Sequence, residues 1–205
     1  MNDRSPAPEL IAPSTRGNES AILNAALDAF GEQGFNGASM RDIARGARTS
    51  LSNLYNYFPS KSELLAELLR RANDEQLART RHAANAEATT AAERLRAAVK
   101  AYVGFVVDHQ VAALVAISEI RYLAGKNREH VVEARDQTQA IFEEIVADGV
   151  SAGEFTTPYP GDAARNITAM CSAISTWYRP EGRLSKTQLA EEQSRYALAL
   201  LEARP

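Results

Sequence analysis

Apolar residues recur every three or four positions along most of this chain, and no stretch of useful length alternates apolar with polar. A period near 3.6 puts such residues on one face of a helix, so the pattern predicts helices and no strands. The first stripe is Ile22, Ala25, Ala26, Ala29 and Phe30, in a helix from about Asn18 to Gly34, a residue suited to ending it. Met40, Ile43, Ala44 and Ala47 form a second stripe. Leu51, Leu54, Tyr55 and Phe58 form a third, which must stop before Pro59. Ser39 stands where an N-cap belongs, with Asp42 three residues on as the acidic partner of a capping-box pattern.

Three further boxes mark helix starts. Ser60 to Glu63 opens a fourth helix carrying Leu64, Leu65, Leu68, Leu69, Ala72 and Leu77 to about Arg81. After a weakly patterned connection over 83–92, Thr90 to Glu93 opens a fifth with Leu95, Val99, Tyr102, Val103, Val106 and Val107. A sixth, about 111–124, is strongly apolar but interrupted by Glu119 and Arg121; a seventh spans about 128–151. Gly153, Pro158 and Pro160 mark a loop, and an eighth helix runs from near Asp162 to Tyr178. Ser185 to Gln188 opens a ninth. The fold class is therefore all-α with about nine helices. The expected divisions are a mobile arm over 1–17, a three-helix unit over 18–62 and a larger helical domain over 63–205. For Arg4 and Arg16 in the arm, a phosphate contact is weighed against a tail with no role, which is the favoured reading.

Composition removes several classes. Hydrophobic content of 45% and charged content of 24% are ordinary for a globular protein. No apolar run approaches the roughly 18 residues of a membrane span. The N-terminus lacks an apolar signal region, so a cytoplasmic protein is expected. Cys171 is the lone cysteine, which excludes a disulfide framework within the chain and fits a core position. His82, His109 and His130 are too dispersed for a metal spacing, and no glycine-rich phosphate loop occurs, so no metal, cofactor or catalytic group is assigned.

Charge is unevenly placed. The chain carries a net −3, yet from Ser39 to Lys61 the cations Arg41, Arg45, Arg48 and Lys61 face Asp42 alone. Two short helices joined by a tight turn, braced by a third and locally basic, are the parts of a helix-turn-helix, which lays its second helix in the DNA major groove. The same charges also suit a plain solvated face.

The residues themselves go further. Ala26, Phe30, Gly34-Phe35, Ser39-Met40-Arg41-Asp42-Ile43-Ala44, Ala47, Ser50, Leu54 through Lys61 and Leu64-Leu65 match in register. Over roughly residues 18–66 the chain resembles the DNA-binding domain of the TetR family of transcriptional regulators. One position departs: the family usually has Gly where this chain has Arg48. If that turn keeps φ > 0, Arg costs about 1 kcal/mol relative to Gly. Local strain, a different turn and an extra phosphate contact are all consistent with it.

The resemblance implies roles. Leu51, Ser52, Asn53 and Asn56 would face base edges with Tyr55 nearby. Tyr57, Lys61, Ser39, Arg41 and Thr49 would meet phosphates of double-stranded DNA, with Arg48 and Ser50 in the same surface. Asn suits a bidentate pair with adenine and Leu a thymine methyl. The resemblance further implies a homodimer through helices 8 and 9, a palindromic operator, and a C-terminal cavity for a small-molecule effector, hydrophobic or acyl-CoA-like. Its candidate lining is Tyr102, Phe105, Val106, His109, Ile117, Ile120, Arg121, Phe142, Met170, Ile174 and Trp177, residues that plain core packing also explains. A buried Arg121 would need an anion, from Glu119, from Glu143 or from a ligand. The expected function is a ligand-released repressor and not an enzyme. An all-α enzyme using that cavity, favoured by a converging acid/base pair, and a helical interaction protein are the alternatives.

Overall fold

The computed structural model describes residues 10–11, 18–86 and 89–203. The expected arm over 1–17, with Arg4 and Arg16, lies outside the described residues except for Leu10 and Ile11. Ile11 is buried among the apolar residues of the first unit described below.

Among the described residues there are nine α-helices, one 3-10 turn and no strand. They are α1 (Glu19–Gly37), α2 (Met40–Gly46), α3 (Leu51–Tyr57), α4 (Lys61–Ala84), α5 (Ala91–Asp108), α6 (Gln110–Glu119), α7 (Gly125–Ser151), α8 (Pro160–Trp177) and α9 (Lys186–Leu200); Ile120–Tyr122 form the 3-10 turn. The capping patterns mark real starts. Ser39 Oγ accepts the Asp42 amide at 3.1 Å. Thr90 Oγ1 accepts the Glu93 amide at 3.1 Å while Glu93 accepts the Thr90 amide in return at 3.2 Å. Ser185 and Gln188 close the same reciprocal pair at the head of α9. At α4 only one leg forms: Ser60 Oγ accepts the Glu63 amide at 3.1 Å, and the Glu63 carboxylate accepts Asn127 Nδ2 instead. α8 begins two residues before its expected start, because Pro160 occupies a first-turn position where its missing N–H is no loss.

The chain divides into two compact units, residues 1–73 with 108–132, and residues 74–107 with 133–205. In the first, Ile22, Leu23, Ala26 and Phe30 of α1 pack with Ile43, Ala44, Leu54 and Phe58 of the two short helices. Leu64, Leu65, Leu68 and Leu69 of α4 join them, and so do Val115 and Ala116 of α6 with Leu123 and Val131. The three-helix motif is thus roofed by segments far along the chain. Two seven-residue helices bury too little apolar area alone, at about 25 cal/mol per Å², to be stable without them.

In the second unit Val99, Val103, Phe105, Phe142, Ile145, Ile167, Cys171, Ile174, Leu189, Ala197 and Leu198 are buried. Gly149 is required there, because a Cβ would collide with the Phe155 ring. The α5 N-terminus is closed by Glu154, whose two carboxylate oxygens accept the Ala91 and Ala92 amides at 3.1 and 3.0 Å. A carboxylate at that end also meets the positive pole of the helix dipole. Among the described residues no single helix is long and apolar enough to cross a membrane.

Candidate nucleic-acid interface

Hydrogen bonds fix the turn between α2 and α3. Arg48 N donates to Arg45 O at 3.1 Å and Thr49 N to Ala44 O at 3.0 Å. This nested pair closes a helix in the Schellman manner, and Arg48 holds the left-handed position, at φ 52°. The side chain brings a cost of about 1 kcal/mol relative to Gly there. Of the three sequence readings of Arg48, an altered turn is set aside, because the turn keeps φ > 0.

Ser50 Oγ then accepts the Asn53 amide at 3.1 Å and starts α3. On that helix Ser52, Tyr55 and Asn56 are exposed, and Leu54 is fully buried. Leu51 and Tyr57 are half-buried and lean on the core. Asn53 is also half-buried, and its Nδ2 donates to Thr49 Oγ1 at 2.8 Å, so one of its donors is spent within the unit. Arg45 pairs with Asp42 at 3.0 Å. Arg41 and Arg48 are exposed and have no ion pair among the described residues. Beside the turn an open groove is lined by Asn24, Asp28, Glu32, Asp42 and Arg48.

The Gly34 corner anchors these helices. Gly34 takes φ 69°, which breaks α1 and points the Phe35 N–H away from helical pairing. The Glu119 carboxylate at the end of α6 accepts it at 2.9 Å. The Phe35 ring stacks on Tyr122 with centroids 4.8 Å apart, and Tyr122 Oη accepts Asn36 Nδ2 at 2.8 Å. Lys61 Nζ stands 4.4 Å from the centroid of the Phe35 ring and donates to Phe35 O and Ala38 O, at 2.5 and 2.8 Å. Two of its three donors are therefore used inside the fold, a role its spacing in the sequence did not disclose.

The expected buried cation is corrected to a buried anion. α6 ends at Glu119, and the 3-10 turn that follows carries Arg121 out to solvent, its guanidinium 5.1 Å from the Tyr122 centroid. Glu119 is the buried charge, at 5% exposure. Glu143 is exposed and accepts Gln139 Nε2.

The other candidate cavity residues fall in both units. His109, Ile117 and Ile120 belong to the first, and Ile117 is exposed. In the second, Phe105, Val106, Phe142 and Ile174 are buried, Met170 is half-buried and Trp177 is exposed. Tyr102 meets Phe142 edge-on at 6.1 Å and shares a 2.6 Å hydrogen bond with Ser172 Oγ. Burial raises the Tyr102 phenol above its ordinary range. Cys171 beside it is fully buried, which pushes its thiol up to about 12.

Residues 22–68 match the model of bacterial regulatory proteins of the tetR family, and residues 88–201 match the tetracyclin repressor-like C-terminal domain. The chain belongs to the TetR family. Over 184 residues it is 28% identical to the HTH-type transcriptional repressor KstR2 of Mycobacterium tuberculosis, covering 89% of this chain and 92% of that one. A TetR-family regulatory protein from Rhodococcus RHA1 superposes with a TM-score of 0.86 at 25% identity, over 91% of this chain and 97% of the other. AibR, solved with isovaleryl coenzyme A and operator DNA, has a TM-score of 0.77 at 23% identity over 90% and 98%. KstR2 is a transcriptional repressor and the Rhodococcus protein a TetR-family regulatory protein, and the helix-turn-helix is the DNA-binding element of this chain.

Proposed function

We propose that this TetR-family protein is a homodimeric, cytoplasmic repressor that a small molecule releases from a palindromic operator. The observation that carries the reading is the outward face of α3. Ser52, Tyr55 and Asn56 are exposed there with no side-chain hydrogen bond to the described residues, beside the unpaired Arg41. A surface of uncommitted donors, acceptors and an aromatic edge on a seven-residue helix fits base-edge readout. Leu51 and the remaining amide capacity of Asn53 lie at its margin. Arg41, Thr49 and Tyr57 flank it toward the phosphates.

One such helix reads few bases, so two copies about 34–36 Å apart, one turn of DNA, are needed for a tight site. The dimer face we assign is α8 and α9, where Trp177, Tyr196 and Leu200 leave large apolar groups exposed. An isologous pairing would cover them. The effector class we assign is an apolar acyl thioester or similar metabolite, in line with the isovaleryl coenzyme A of AibR. It would bind the second unit, where Tyr102 and Ser172 offer a polar pair among buried apolar residues. Effector binding then favours a state whose two α3 helices no longer match the operator spacing, a coupling of about 1–3 kcal/mol.

The test is selection of bound duplexes from a random pool at fixed salt, then titration of the recovered site with a panel of short and long acyl-CoA thioesters. A palindrome released by one member of the panel is the expected result. Recovery of no motif by the folded protein refutes operator recognition. A motif insensitive to the whole panel refutes the effector class and leaves the DNA reading standing.

A further inference from the structure

We infer that Arg48 is a DNA-backbone contact for which this chain gives up folding stability. The inference rests on the DNA-binding reading above. Arg48 and Glu202 are the two non-glycine residues with positive φ among the described residues. The turn at Arg48 is closed entirely by backbone bonds, Arg48 N to Arg45 O and Thr49 N to Ala44 O, and these are the bonds glycine would make. The arginine side chain therefore adds strain and no closure.

Nor does that side chain repay the strain inside the fold. The guanidinium is exposed and has no hydrogen bond or ion pair to the described residues. Asp42, which lines the same groove, already pairs with Arg45 and bonds Ser39 Oγ at 2.5 Å. Asp28, also in that lining, stands outside ion-pair range. A permanently charged, planar donor set is thus left in solvent two residues before Ser50, the cap of α3. Guanidinium groups suit phosphate oxygens bidentately, and a backbone contact at this point would set the register of α3 on the duplex. With much of the Lys61 ammonium engaged by Phe35 and Ala38, Arg48 and Arg41 are the cations of the motif left to meet the backbone.

The full-length protein and its Arg48→Gly, Arg48→Ala and Arg48→Lys variants should be compared by two readouts, thermal unfolding and anisotropy on a labelled random-sequence duplex across a salt series. Arg48→Gly should raise Tm by about 2–4 °C, the shift that relief of this strain gives in a chain of this size. It should also make the slope of log K against log salt shallower by about 0.9 per bound protomer. Arg48→Ala should flatten the slope equally without the gain in Tm, and Arg48→Lys should keep the slope. An unchanged slope in Arg48→Gly overturns the contact, and an unchanged or lower Tm overturns the strain. If the wild-type protein binds no duplex, the DNA-binding reading fails and takes this inference with it. Loss of slope in Arg41→Ala with none in Arg48→Gly would sink the inference alone.

Discussion

Removing the Glu119 carboxylate should weaken the first unit more than any exposed substitution in it. In Glu119→Ala the Phe35 N–H at the broken end of α1 loses its acceptor, 2.9 Å away and 84 positions along the chain. A hydrogen bond to a charged group contributes about 1.5–3 kcal/mol, and a donor left without a partner forfeits about as much. We expect a loss of about 2 kcal/mol, which at a urea dependence of about 2 kcal/mol per molar moves the midpoint down by about 1 M. Glu119→Gln keeps an oxygen at the same reach and should lose about half as much. The assay is urea unfolding followed by far-ultraviolet circular dichroism, which sees helices of both units, alongside the emission of Trp177, the sole tryptophan, in the second unit. A shift confined to circular dichroism would locate the damage in the first unit, and a common shift would show the two units melting together. A Glu119→Ala midpoint within about 0.2 M of wild type refutes the reasoning, since at about 2 kcal/mol per molar that lies inside the ±0.5 kcal/mol of ordinary surface changes.

Three further outcomes follow from the same kind of accounting. Lys61→Met should lower stability by about 2 kcal/mol through the two carbonyls it strands, while changing the salt slope by less than the roughly 0.9 of a full phosphate contact; the reverse pattern would assign the amine to DNA. Glu154→Ala should cost about 1 kcal/mol by uncapping α5, read as a lower Tm, and Glu154→Gln should recover part of it. Glu67 gives a pH signature. Burial pushes its carboxyl up, but hydrogen bonds and charge from Arg70 and Arg71 outweigh that and hold it below the ordinary value. Its contribution is therefore complete above the unfolded carboxylate pKa and is lost as pH falls through the depressed folded one. Glu67→Gln should be less stable than wild type at pH 7, with the gap closing in acid; a gap that widens there would contradict the assignment.

What could be read ahead of the structure was local. Ser39, Thr90 and Ser185 announced their helices because a cap and its partner lie three residues apart, and the Arg48 departure flagged a turn whose φ is indeed positive. The Gly34 corner was legible as a helix end, but not as a junction. Its partners Glu119, Tyr122 and Lys61 are far away in sequence, and periodicity carries no record of which helix a stripe will meet. The same blindness produced the error at Arg121. A mostly apolar stretch, interrupted at Glu119 and Arg121, suggested one helix to about residue 124, whereas the switch to a 3-10 turn after Glu119 leaves Glu119 buried and Arg121 exposed. The part played by α6 in the first unit was equally hidden, since its apolar residues suit any core.

The setting of Cys171 makes the protein unusually convenient to label. The Cys171 thiol is fully buried, and that burial pushes it up to about 12, so reagents that need an accessible thiolate do not reach it. The native background thus behaves toward maleimides and methanethiosulfonates as if it were cysteine-free. A single Ser52→Cys change would then carry a spin label on the outer face of α3 and nowhere else. In a dimer, the label-to-label distance would read the separation of the two DNA-reading helices directly, with and without an effector.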